Sequence, residues 1–160
     1  MARARAAPRL VLMCGLPGAG KTMVARRLAA EIPALRLCPD EWITRLGFDL
    51  FDEVVRERIE ALQWALAQEV LRLGRSVILE NGFWQRAERD EKRLAARALG
   101  AQVELRYLDV PLDDLWRRIE ARNAESGWRA RPIRRDELEK WARSFEAPDA
   151  AEMALFDAPE

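Results

Sequence analysis

The segment Gly15–Thr22 limits what this chain can fold into more than any other, because it reads GLPGAGKT and fits the pattern G-x-x-x-x-G-K-[ST]. Its glycines let the backbone curl so that N–H groups point inward at phosphate oxygens. An apolar run, residues 9–14, precedes it, and an amphipathic stretch follows from about Gly20. Strand, loop and helix in this order predict a parallel α/β fold that binds a nucleoside triphosphate at a helix N-terminus.

Each position of this loop has an expected role. Lys21 is expected to reach the β and γ phosphates of ATP, and the Thr22 hydroxyl to ligate Mg²⁺. A glycine-rich turn without a ligand is the alternative, and the flanking strand and helix patterns oppose it. The loop positions expected to surround the phosphates are Gly15, Pro17, Gly18, Ala19 and Gly20.

Composition and charge fit one globular domain over residues 1–160. Apolar residues make up 49% of the chain, enough for an ordinary core. Lys plus Arg equals Asp plus Glu at 27 each, so the global basic field typical of duplex nucleic-acid binding is lacking. A small-molecule partner is therefore favoured, although a short strand end stays possible.

Residue usage narrows the chemistry and the compartment. The chain has no histidine, which excludes His-dependent triads and His-ligated zinc. Cys14 and Cys38 are expected to be small reduced core residues rather than a disulfide. No stretch reaches the roughly 18 apolar residues that a membrane helix needs, so we expect a cytoplasmic protein with no membrane partner.

Apolar runs alternating with helical patterns predict a P-loop NTPase three-layer sandwich, in which helices cover both faces of a parallel sheet of four to five strands. Strands are predicted at residues 9–14, 34–38, 76–80 and 103–108, with a weak fifth at 153–156. Helices are predicted from 51 to 73, from 86 to 99 and after Pro111. The helix that follows the phosphate loop is expected to bury Met23, Val24, Leu28 and Ile32. The helix over residues 51–73 is expected to bury Phe51, Val55, Ile59, Leu62, Leu66, Val70 and Leu73.

Two carboxylates follow predicted strands, at the edge where open α/β sheets bind their ligands. Asp40 could accept a proton from an acceptor hydroxyl, or cap a helix over residues 41–46. Glu80 is the candidate ligand of Mg²⁺ or of a magnesium-bound water, or simply a carboxylate at a strand end. Asn81 could share that role or contact the substrate.

An arginine-rich segment, residues 117–135, predicts a lid that closes over phosphates. Arg118 and Arg122 are four residues apart and thus share a helical face. The residues 126–128 and Pro132 interrupt the helix. A solvated surface paired with Glu120, Glu125, Asp136 and Glu137 is the alternative. The arginines are Arg117, Arg118, Arg122, Arg129, Arg131, Arg134 and Arg135.

The ordered set GLPGAGKT, LCPDEW, VILENGFWQRAERD and LWRRIEARN resembles small P-loop kinases over nearly the whole chain. That group includes polynucleotide 5′-kinases, zeta-toxin-type kinases and chloramphenicol phosphotransferase-like enzymes, and the chain looks most similar to bacterial AAA-type ATP-binding kinases. The resemblance implies that Asp40 is the base and that Arg118 and Arg122 bind phosphates. It also implies an arginine that holds the acceptor, for which Arg45 follows Asp40 at a spacing of five instead of three.

The acceptor is the part that the sequence leaves open. Trp42, Trp84 and Trp128 lie in or beside the expected acceptor and lid segments, where they could stack on a ring or simply pack. We expect an ATP-dependent phosphotransferase that acts on a hydroxyl of a small molecule. The alternatives are a kinase of a polynucleotide 5′-hydroxyl and a nucleotide-dependent ATPase or sensor.

Overall fold

The computed structural model describes residues 5–125 and 131–159. Its four strands form one parallel sheet in the order β2-β3-β1-β4. The strands are β1 Arg9–Cys14, β2 Ala34–Leu37, β3 Ser76–Gly82 and β4 Gln102–Tyr107. The helices are α1 Lys21–Glu31, α2 Pro39–Arg45, α3 Glu53–Arg72, α4 Arg86–Ala98, α5 Leu112–Asn123, α6 Arg135–Ser144 and α7 Ala150–Met153.

Helices cover both faces of this sheet, which confirms the predicted three-layer α/β fold. Side chains alternate along each strand, so Leu10 and Leu12 of β1 face one layer and Val11 faces the other. The first face packs against α3 and α4, and the second packs against α1. The carboxyl ends of all four strands therefore meet at one edge, where the phosphate loop follows β1.

The predicted buried faces of two helices are partly wrong. Met23 of α1 is 77% exposed and Leu62 of α3 is 61% exposed. Leu73, the C-cap of α3, is also exposed. The buried positions of α3 are Ile59, Gln63, Ala67 and Leu71, at a uniform spacing of four. Apolar residues lie all around this helix, so only packing against the sheet decided which of them are covered.

The predicted fifth strand does not form in the described residues. Met153 is instead the last residue of α7, whose N-cap Asp149 accepts from Glu152 N at 2.7 Å, and residues 154–156 follow it as a turn and a bend. Beyond α7, Asp157 N donates to Val103 O at 2.8 Å, and Val103 N donates to Asp157 Oδ2 at 2.7 Å. Asp157 thus forms two hydrogen bonds with Val103, on the edge of β4 that has no neighbouring strand.

Two other expectations concern the cysteines and the membrane. Cys14 and Cys38 are free and buried, as predicted, and burial raises their thiol pKa values to about 12 and about 11. None of the helices within residues 5–125 and 131–159 combines the length and the apolar character needed to cross a bilayer.

Candidate active site

The phosphate loop is a tight turn between β1 and α1. Gly15 N donates to Gly82 O at 2.9 Å, which joins the start of the loop to the end of β3. Gly18 has φ +85°, and a Cβ there would lie 3.2 Å from both Ile119 Cγ1 and Leu115 O, so only glycine fits. Gly20 caps α1 without a side-chain hydrogen bond, which leaves the first N–H groups of the helix available to bind an anion.

Lys21 lies inside this loop. Its Nζ donates to the carbonyl oxygens of Gly15 and Leu16, each at 3.0 Å. Burial lowers the pKa of Lys21 to about 8, against the opposing effect of Asp40 and the smaller ones of Cys14 and Glu80. The ammonium group is therefore close enough to both predicted carboxylates to interact with them electrostatically.

The predicted magnesium ligands Thr22 and Glu80 are in contact. Thr22 Oγ1 donates to Glu80 Oε1 at 2.7 Å, and the Glu80 side chain is only 2% exposed. In the described part of the chain, no three residues among His, Cys, Asp and Glu form a metal cluster. A hydroxyl and one carboxylate nevertheless fit Mg²⁺, which binds through few protein ligands and completes its shell with phosphates and water.

Arg36 is a site residue that the sequence analysis missed. It donates through Nη1 to Glu80 Oε2, and through Nη2 to both carboxylate oxygens of Glu41, at 2.6 and 2.7 Å. Arg26 also donates to Glu41, at 3.1 Å. The sequence did contain an indication of this role, because Arg36 is a charged residue within the short apolar run 34–38.

Asp40 lies in the first turn of α2, at the entrance of the site. The helix begins at Pro39 and its N-cap is Cys38, so the alternative of Asp40 as N-cap is wrong. The Asp40 side chain is 58% exposed, and its Oδ1 accepts from Arg56 Nη2 at 2.5 Å. The predicted acceptor residue Arg45 is exposed at the other end of α2.

Arg56 of α3 was also missed, because its partner is on another helix. It donates to Leu50 O at 3.1 Å, and its Nη1 lies 4.0 Å from Glu60 Oε1. The pKa of Glu60 is raised to about 7, mainly by burial; Arg56 and Lys92 oppose the shift, whereas the charges of Glu88 and Asp40 add to it. A group of paired charges thus surrounds the exposed carboxylate of Asp40.

The predicted substrate-binding aromatic residues have structural contacts. Trp42 is half-buried against the core layer of α3 and α4. Trp84 Nε1 donates to Gly15 O at 3.3 Å, and its ring lies 6.2 Å from that of Trp141. Trp84 therefore braces the phosphate loop. Trp128 lies outside the described residues.

Asn81 follows Glu80 near the end of β3. Its Oδ1 atom is buried without a hydrogen-bond partner among the described residues. The register of β3 against β1 shifts between the pairs Leu12–Leu79 and Cys14–Gly82, so the strand is irregular at Glu80 and Asn81. That Asn81 shares the ligand position of Glu80 or contacts the substrate stays a prediction.

The arginines of the predicted lid fall into two groups. Arg118 Nη1 donates to Gly18 O at 3.1 Å and to Ala19 O at 3.3 Å, so it lies on the phosphate loop. Arg122, one turn further along α5, is near enough to Lys21 to contribute to lowering its pKa. Arg117, Arg131, Arg134 and Arg135 form ion pairs with Asp114, Glu137, Asp136 and Asp113, respectively. The alternative of a paired surface thus applies to these four, and Arg129 lies outside the described residues.

Solved structures with a similar fold include a chain of the Pnkp1/Rnl/Hen1 RNA repair complex, at 20% identity and a TM-score of 0.74. The match covers 94% of this chain and 46% of the other, so the chain spans less than half of that relative. A gluconokinase from Sinorhizobium meliloti is 19% identical, with a TM-score of 0.62, over 91% of this chain and 79% of that one. These identities support a common fold alone.

A third similar structure is the Mycobacterium tuberculosis APS kinase CysC, 24% identical with a TM-score of 0.55 over 74% of this chain and 69% of that one. No curated protein matches the chain significantly. Residues 10–148 match the model of a family described as AAA domain. With that match over most of its length, the chain belongs to this AAA-domain family.

Proposed function

We propose that this protein transfers the γ phosphate of ATP to a hydroxyl group of a small molecule. The observation that supports this most directly is that three groups needed for phosphoryl transfer meet at one sheet edge. They are the phosphate loop with Lys21, the Thr22–Glu80 pair and the Asp40 carboxylate. Phosphoryl transfer asks a protein mainly for positioning and charge neutralisation, which such a set supplies.

Lys21 and the arginines of α5 would neutralise the phosphates. Lys21 would exchange its two carbonyl partners, Gly15 and Leu16, for oxygens of the β and γ phosphates. Arg118 already contacts the loop backbone, and Arg122 is one helical turn away. Thr22 and Glu80 would hold Mg²⁺, which would neutralise negative charge on the phosphates.

Asp40 would receive the proton of the acceptor hydroxyl. Its ion pair with Arg56 fixes the carboxylate and keeps one oxygen available. A weakly basic carboxylate suffices here, because the transition state of phosphoryl transfer is loose and the hydroxyl needs mainly to be oriented. Arg56, rather than Arg45, is therefore the residue that we propose for holding Asp40 and the acceptor.

A small acceptor fits the charges around Asp40. Arg56 is engaged by Asp40 and faces Glu60, and Lys92 is next to Glu91 and over the ring of Trp64. These cations are already balanced by carboxylates, whereas a polynucleotide end would need cations for its phosphates. The similar fold of a gluconokinase is consistent with this class of acceptor.

A polynucleotide 5′-hydroxyl is the second candidate acceptor. It is favoured by the similarity to a chain of an RNA repair complex, which has a TM-score of 0.74. That chain is more than twice as long as the matched part, so its substrate does not follow from the fold.

A transfer screen with γ-labelled ATP tests the proposal. Sugars, nucleosides, hydroxyl-bearing antibiotics and 5′-hydroxyl oligonucleotides are offered in parallel, with Lys21→Ala as the inactive control and Lys140→Ala, on α6, as the matched lysine control. We expect label on a small molecule with wild type and Lys140→Ala only. Label on oligonucleotide ends would favour the second candidate, and label released solely as free phosphate would indicate an ATPase or sensor.

A further inference from the structure

A chain of alternating charges connects the two halves of the proposed site. It runs from Arg26 through Glu41 and Arg36 to Glu80, which meets the hydroxyl of Thr22. These residues come from α1, α2, β2 and β3, so the network joins elements that are distant in sequence. Arg36 is at its centre and is the member that contacts both carboxylates.

Both oxygens of Glu80 are occupied in this network. Oε1 accepts from Thr22 and Oε2 accepts from Arg36. The Glu80 side chain is 2% exposed and that of Arg36 is 17% exposed, so water contributes little to the solvation of either charge. A buried carboxylate without a cation beside it costs free energy, and Arg36 supplies that cation.

Glu41 in turn fixes Arg36. Its two oxygens accept from Nη2, and although burial would raise the pKa of Glu41, the hydrogen bonds and charges of Arg36 and Arg26 hold it below its usual range. Glu41 is the neighbour of Asp40 in the first turn of α2. A displacement of Arg36 would thus reach both the carboxylate beside Thr22 and the helix that bears Asp40.

We propose that Arg36 is a positioning residue: it holds Glu80 in place for the magnesium–nucleotide complex and joins it to the helix that bears Asp40. The proposal rests on the proposed ATP site. Arg36 would act through Glu80 and Glu41 and would not contact the phosphates itself. The guanidinium group suits this role because its planar arrangement of N–H donors can form hydrogen bonds with two carboxylates at once.

The test is nucleotide affinity with and without Mg²⁺, measured with a fluorescent ADP analogue on the full chain. Adding Mg²⁺ should raise the nucleotide affinity of the wild type, and we expect this increase to be about tenfold smaller in Arg36→Met. A loss of that size is the usual effect of removing a residue that orients a metal ligand. Affinity without Mg²⁺ should change less than about twofold. Arg36→Lys should restore part of the loss, because it keeps the charge but loses the planar arrangement of donors.

Arg26→Met is the matched control, because Arg26 is the exposed end of the same network. It should keep the wild-type magnesium dependence. If Arg36→Met and Arg36→Lys both fold and retain the wild-type gain in affinity, the proposal is wrong. A uniform loss of affinity in Arg36→Met, equal with and without Mg²⁺, would also overturn it, since that indicates only a structural role.

This readout separates the inference from the proposed function. No acceptor is present, so failure to find a phosphate acceptor leaves the result for Arg36 intact. If the wild-type protein and Lys21→Ala bind the nucleotide equally, the proposed ATP site itself fails.

Discussion

Lys21 bears its charge in surroundings that disfavour it. Burial lowers its pKa to about 8, so the ammonium form is lost as the pH rises from 7 to 9. Because only the charged form attracts phosphate strongly, and bound phosphate raises the lysine pKa, nucleotide binding takes up protons in this range. We expect ATP affinity to fall about tenfold between pH 7 and pH 9, measured by calorimetry.

The control for this prediction is Lys21→Arg, because a guanidinium group stays protonated throughout the range. Its affinity is expected to be weaker but nearly independent of pH from 7 to 9. An equal pH dependence in both proteins would assign the titration to another group.

Asp40 and Arg56 form the second residue-scale feature that can be tested. Asp40→Asn should keep ATP affinity and lose about 100-fold in kcat, the usual contribution of acid–base help. Arg56→Met should lower kcat and raise the KM of the acceptor, because it removes the partner that holds Asp40. The neighbouring exposed residue offers a control, Arg58→Met, which should behave as wild type. Wild-type turnover of Asp40→Asn would exclude Asp40 as the base.

At the scale of elements, α5 presents two different arginine surfaces. Arg118 faces the phosphate loop, whereas Arg117 is exposed and paired with Asp114 on the same helix. We expect Arg118→Ala and Arg122→Ala to lower kcat more than they raise the KM for ATP, because contacts to the transferring phosphate strengthen as charge develops. Steady-state kinetics measures both values.

Arg117→Ala is the matched control for α5 and should leave both constants within about twofold, since exposed ion pairs contribute little. If all three variants lowered kcat equally, the effect would come from the helix as a whole and not from the surface that faces the loop.

At the scale of the whole molecule, the C-terminal residues are joined to the turn that braces the phosphate loop. Arg89 Nε and Nη2 each donate to Glu152 at 2.8 Å, and Arg89 Nη1 donates to Phe83 O at 2.8 Å. Phe83 has φ +50° and precedes Trp84, the tryptophan that contacts Gly15. The fully buried arginine therefore supports the active-site turn and anchors α7 at the same time.

Breaking this pair should destabilise the protein strongly. We expect Arg89→Met to lower the free energy of unfolding by about 3 kcal/mol, measured in urea, because it leaves the buried Glu152 without its hydrogen-bonded cation and with only the more distant Arg86, at 3.9 Å. The double variant Arg89→Met with Glu152→Met should recover part of that loss. Arg143→Met, on the exposed side of α6, should change stability by less than about 0.5 kcal/mol. A loss below about 1 kcal/mol for Arg89→Met would contradict this reading.

Local patterns in the sequence determined the sheet, the phosphate loop and the edge at which the site lies. The motif Gly15–Thr22 fixes a turn between a strand and a helix, and alternating strands and helices fix a parallel sheet. In such a sheet the carboxyl ends of the strands share one edge, so Thr22 and Glu80 were predicted at one site and are in contact. The motif and the strand and helix patterns depend on residues that are close in sequence, and the parallel sheet then brings together Thr22 and Glu80, which are 58 residues apart.

Tertiary structure alone decided which charges meet. With 27 basic and 27 acidic residues, local patterns allow many pairings. The structure selects Arg56 for Asp40, 16 residues away, and Arg36 for Glu80, 44 residues away. It also places the end of α7 and a turn at residues 153–156, where the last strand was expected. Glu152 of α7 meets Arg89, 63 residues away in sequence. Which partners meet depends on how helices pack on the sheet, and that packing is a property of the whole fold rather than of any segment.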